Sequence, residues 1–132
     1  MKYALYSLAA IVALGVSLAF TKGKTSSEED LTDCLKKYRT AWDSKCIDCK
    51  SDVGTFKVCL RNECNKTIDV LVCVQENDKT WRKTQFNSVA PKDSVIAFAC
   101  NGTGKHRKWV RLAGDKSTPF PSIEEVNKQY KD

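Results

Sequence analysis

The chain has 132 residues, with 22 Lys plus Arg against 16 Asp plus Glu and a formal net charge of +6. That length is one ordinary domain's worth, about 100–150 residues; its core can only be modest, so covalent cross-links would add noticeably to stability. A moderate basic excess favours contact with anionic surfaces such as phospholipid, polysaccharide or nucleic acid, and equally keeps a small protein soluble.

The first element in chain order is apolar. Residues 1–20 read MKYALYSLAAIVALGVSLAF, with Lys2 as the one charge before Lys22. A basic start, an apolar run and a small-x-small exit at Ser17-Leu18-Ala19 describe a signal peptide. The run also reaches the lower end of a membrane span, about 17–25 residues, so a retained signal anchor competes with cleavage. All seven cysteines follow Phe20. Together the leader and the cysteines place the remainder in an oxidising compartment, secreted, periplasmic or within the cell envelope. The expected organisation is a signal peptide or anchor at 1–20, a polar linker at 21–30 and a cysteine-rich exported domain at 31–132.

Ser26 or Ser27 can cap a helix whose first turn is acidic. Leu31, Cys34, Leu35 and Tyr38, with Trp42 one turn on, fall at helical spacing and predict an amphipathic helix over 28–42. Residues 43–54 are irregular. Alternation then predicts a strand over 56–61, a turn at 62–66 and a β-branched strand at 68–75. A polar turn at 76–79 precedes a strand over 80–86, and 89–93 breaks the pattern. Strands at 94–100 and 105–112 flank a turn at 101–104, and a short polar helix at 122–130 closes the chain. The predicted fold is therefore mostly β: a small antiparallel sandwich or barrel of about five strands with an N-terminal helix. Asn65-Lys66-Thr67 and Asn101-Gly102-Thr103 are sequons.

Cys34, Cys46, Cys49, Cys59, Cys64, Cys73 and Cys100 are all disulfide candidates. An odd count leaves at least one free, joined to another chain or otherwise engaged, so a protein partner or self-association through a cysteine is expected. Strand faces favour a Cys73–Cys100 bridge, with Cys34 joined to Cys46 or Cys49. Cys46-Ile47-Asp48-Cys49 can also be read as a redox pair or half a metal site. Cys46-x-x-Cys49-Lys50, with Trp42 upstream, resembles the thioredoxin active site. That resemblance implies Cys46 as nucleophile, Cys49 as resolving thiol, and Pro91 where that fold places its cis-proline. Against it, 40–45 cannot form the apolar strand that should enter the motif, and Val53-Gly54 interrupts the helix that should leave it. A zinc site would need a second ligand pair, and Cys59-x4-Cys64 is loosely spaced for one. Neither metal nor cofactor is expected.

Residues 105–111 form the densest basic run. On a strand, Lys105, Arg107, Trp109 and Arg111 share a face and offer cations around an indole for phosphate, sulfate or carboxylate groups. His106, the only histidine, has no carboxylate in register. No Gly-rich phosphate loop, serine nucleophile motif or paired acids occur, so the leading reading is a non-catalytic binding or structural subunit. A thiol–disulfide oxidoreductase and a polyanion-binding module are the alternatives.

Overall fold

The computed structural model describes residues 30–131. The leader at 1–20, most of the linker and the first positions of the predicted helix lie outside the described residues. Among the described residues no helix is long and apolar enough to cross a membrane.

The chain forms a 3-10 turn, Leu31–Cys34, then β1 Leu35–Trp42, β2 Phe56–Asn62, β3 Ile68–Glu76, β4 Trp81–Val89, β5 Ser94–Ala99, β6 Gly102–Leu112 and α1 Ile123–Gln129. Two antiparallel three-stranded sheets result, ordered β1-β2-β5 and β4-β3-β6. Their inner faces share one core. Phe56, Val58 and Leu60 of β2 and Val95, Ala97 and Ala99 of β5 meet Ile68, Val70, Val72 and Val74 of β3. The strict alternation in β2 and β5 and the β-branched run in β3 produce this arrangement, because successive side chains point to opposite faces. β3 is central and nearly wholly buried, its outer residues Leu71 and Cys73 lying under Trp81 and Val126. Ser122 caps α1 with a reciprocal capping box to Glu125, and Trp81 Nε1 donates to the Tyr130 carbonyl at 2.7 Å. The helix thereby covers the outer face of the β4-β3-β6 sheet.

The largest departure from expectation is β1. Over 31–42 the predicted helix is a 3-10 turn followed by an edge strand. Lys37 lies opposite Leu60 and Arg39 opposite Cys59, which leaves Tyr38 as a bulged residue between them. The bulge inserts one residue and shifts the phase of alternation. Leu35, Lys37, Thr40 and Trp42 consequently share the inner side, each opposite an inward residue of β2. Leu35 and Trp42 are seven residues apart, a helical interval, yet one bulge in a strand delivers the same interval. Cross-strand pairing and the Cys34–Cys64 bridge override the periodicity. Smaller departures lie at two other positions. β4 runs on to Val89 through a bulge opposite Ile68 and Val70, and β6 starts at Gly102, inside the expected turn.

Candidate functional site

The register places the basic strand as its alternation predicts. Arg107, Trp109 and Arg111 pair with Cys73, Leu71 and Asp69 on the outer face of β3. All three make contacts within the chain. Arg111 Nε donates to Asp69 Oδ2 at 3.3 Å, and its guanidinium lies 4.4 Å from the Phe120 ring centroid. Arg107 sits 3.7 Å from the Tyr130 centroid, and Trp109 packs into the cluster beneath α1. These groups hold the C-terminal segment down; Lys105 and Arg107 retain solvent exposure. Sequence periodicity assigned the face correctly, but the tail that covers it comes from residues 118–130, which local pattern cannot connect to it.

The alternate residues of β6 point inward against β1. A Cβ at Gly104 would lie 3.1 Å from the Trp42 ring, and Lys108 Nζ donates to the Leu35 carbonyl. Burial, then the charges of Lys37 and Lys108, hold the His106 imidazole below its ordinary value. This flank is cationic and half-buried.

Among the described residues no helix covers the outer face of the β1-β2-β5 sheet. Register puts Lys36, Arg39, Lys57 and Arg61 there with Ile96 and Phe98, and Lys57 Nζ donates to the Lys45 carbonyl. The Arg61 guanidinium lies 4.7 Å from the Tyr38 ring centroid, so the bulged tyrosine belongs to the same face. Tyr38 is 49% and Ile96 48% exposed. The acids near it, Asp33 and Glu63, pair with Lys36 at 3.5 Å and with Arg61 at 4.0 Å. Such exposed pairs are weak, so the face keeps an accessible positive character. A helix over 28–42 would not form this surface, because Lys36 and Arg39 share a face with Lys57 and Arg61 only across a strand pair.

The cysteines depart from the favoured scheme. The bridges are Cys34–Cys64 and Cys49–Cys100, with Cys46, Cys59 and Cys73 free and buried. A Cys73–Cys100 bond is ruled out by the faces: Cys73 lies under α1 on the outside of one sheet, whereas Cys100 follows a strand of the other. Burial pushes the Cys73 thiol up to about 11, with Lys83 opposing weakly, which leaves it a poor nucleophile at neutral pH. Cys34 meets Cys64, not Cys46 or Cys49, because β1 runs antiparallel to β2 and brings the start of one to the end of the other.

The CxxC sits in the irregular connection between β1 and β2. Cys49 N–H donates to the Cys46 carbonyl at 3.3 Å, a tight turn, and Cys46 N–H donates to Asp52 Oδ1 at 3.0 Å. Cys46 Sγ lies 3.2 Å from Cys49 Sγ. Arg82 Nη2 is 3.4 Å from Cys100 Sγ, and Glu76 Oε1 accepts from both Arg82 Nε and Cys100 N–H at 3.1 Å. Among the described residues every sheet pairing is antiparallel, and Pro91 lies in the turn between β4 and β5. No group of three or more His, Cys, Asp or Glu suited to a metal ion occurs among the described residues. Family models, curated proteins and solved structures all fail to match this chain.

Proposed function

We propose that this chain is an exported, disulfide-stabilised, non-catalytic binding domain that takes an anionic partner on the outer face of its β1-β2-β5 sheet. One observation carries the reading. Among the described residues the two sheets are treated unequally, one covered by α1 and the other left open with Lys36, Arg39 and Arg61 around Tyr38 and Ile96. Spaced cations beside an exposed aromatic suit a flexible polyanion such as a sulfated or carboxylated polysaccharide, through long-range attraction and ring stacking. Export is supported by the apolar leader and by two bridges in a small β domain.

The strand order supports a binding role by analogy of architecture alone. In chain order, β1-β2-β5 facing β4-β3-β6 corresponds to strands A-B-E facing C′-C-F of an immunoglobulin-type sandwich, without its last strand. The test is elution from a sulfated-polysaccharide column in a salt gradient. Neutralising Lys36, Arg39 and Arg61 with Gln should bring elution to lower salt, whereas Arg107→Gln, on the covered sheet, should shift it less. Equal elution of wild type and the triple variant, with melting temperature unchanged, sinks the reading.

A further inference from the structure

We infer that Cys46, Cys49 and Cys100 form a thiol–disulfide exchange site, in which the bridge moves between Cys49–Cys100 and Cys46–Cys49 and so presents Cys100 as a reactive thiol. Three sulfurs meet here, and their arrangement fits the roles of an exchange reaction. Cys46 is the buried free thiol, its sulfur 3.2 Å from Cys49 Sγ. Disulfides exchange by attack of a thiolate on one sulfur, with the other sulfur leaving. Cys46 is in contact with the sulfur it would attack, and the two-residue spacing already brings both cysteines into one turn.

The leaving group is also provided for. Arg82 Nη2 lies 3.4 Å from Cys100 Sγ, and a guanidinium beside a sulfur favours its thiolate and speeds its departure. Arg82 is held in place by its 3.1 Å ion pair with Glu76. The same carboxylate accepts from the backbone N–H groups of Cys100 and Asn101. Once protonated, the Cys100 thiol has the Asp48 carbonyl as an acceptor, 3.8 Å from its sulfur.

The step balances without an external oxidant. The Cys46–Cys49 bond forms as Cys49–Cys100 breaks, Cys46 gives up a proton, and Cys100 leaves as a thiolate that can take one up. Nothing is oxidised or reduced overall. Cys46 is buried while Cys49 and Cys100 are half-buried, so the rearrangement carries nucleophilic character from an enclosed sulfur to an accessible one. The class of substrate is a disulfide: Cys100 thiolate attacks one of its sulfurs, forms a mixed disulfide and releases the other half as a thiol. Cys59 and Cys73 have no such neighbour among the described contacts.

The test uses the full oxidised chain, incubated at mildly alkaline pH with oxidised glutathione and mapped without reduction by mass spectrometry. Wild type should carry glutathione on Cys100 together with a Cys46–Cys49 bridge. Cys46→Ser should lose the Cys100 adduct and keep Cys49–Cys100 intact, and Arg82→Gln should slow adduct formation. Cys100→Ser, which leaves no competing partner, should isolate Cys46–Cys49 directly even if another variant folds poorly. An adduct on Cys46 with Cys49–Cys100 intact, no adduct at all, or an undiminished Cys100 adduct in Cys46→Ser would each overturn the inference.

Discussion

Asp69 and Arg111, opposite one another on β3 and β6, form an ion pair of 3.3 Å whose side chains are only 5% and 15% exposed. Asp69 also accepts from the backbone N–H of Ser88 at 2.9 Å and of Gly114 at 3.0 Å. Both donors lie at positive φ, so one carboxylate fixes a bulge in β4 and the turn after β6. Burial acts to raise the Asp69 carboxyl, but those N–H donors and the Arg111 guanidinium outweigh it and hold it below the usual carboxylate value. Replacing Asp69 with Ala leaves the largely buried Arg111 guanidinium without its carboxylate and removes the acceptor of the Ser88 and Gly114 N–H groups. The expected loss is about 3–5 kcal/mol, read by denaturant unfolding. A loss no larger than that of an exposed pair would refute the assignment.

Acid should act in two separate windows. His106, the only histidine, titrates below its ordinary value in the folded chain because burial and the neighbouring lysines disfavour the cation. The unfolded chain therefore binds the proton first, and stability falls as pH drops through about 6.5 and on down to the folded value. His106→Gln should remove that slope. Asp69, with its depressed value, gives stability that is present above about 3.9 and lost as pH falls through the lower folded value. The discriminating measurement is melting temperature against pH for wild type and His106→Gln. Parallel curves between pH 7 and 5 would show that the imidazole is not buried among cations.

Removing the Cys34–Cys64 bridge by a double Ala substitution should cost about 3.5 kcal/mol by the chain-entropy relation, given its separation of 30 residues. The loss should appear as a lower melting temperature under non-reducing conditions. Treating wild type with a reductant, which opens Cys49–Cys100 as well, should lower the melting temperature at least as far. If the double variant melts with wild type, the two sulfurs are not bonded.

Gly102 opens β6 where no side chain fits. A Cβ there would lie 2.5 Å from Phe56 Cβ and 3.4 Å from Ala99 Cβ, and the Gly102 N–H donates to the Gly54 carbonyl at 2.9 Å. Because the obstacle is the core itself, Gly102→Ala should destabilise by about 1–3 kcal/mol through overpacking. A neutral Gly114→Ala is not the proper comparison, since Gly114 has space but a positive φ. The informative control is Ala113→Gly, away from the core, and equal effects of the two changes would count against the packing explanation.

Val126 is the apolar anchor of α1, 1% exposed against Leu71, Cys73 and Trp81. Val126→Ala should cost about 2 kcal/mol, from two methyl groups and the void they leave. It should also raise labelling of Cys73, which the helix covers. A stable variant with Cys73 still protected would mean the helix is held chiefly by the Trp81–Tyr130 bond.

Sequence by itself determined the class of the described domain and the position of most of its strands, because alternation and β-branching in 56–60, 68–74 and 94–99 are local properties of a half-buried or buried strand. It also determined that Arg107, Trp109 and Arg111 share a face, since a period of two requires it. Tertiary structure decided what local periodicity leaves open. One bulged residue, Tyr38, gave β1 the spacing of a helix, and only pairing with β2 chose the strand. The cysteine partners were set by which ends of antiparallel strands meet, bringing Cys34 to Cys64 and placing Cys46 against the Cys49–Cys100 bridge. The free basic face was likewise decided by where α1 packs. Side-chain alternation is written into neighbouring residues, but contacts between residues 30 or 50 positions apart depend on the whole chain burying its apolar surface at once.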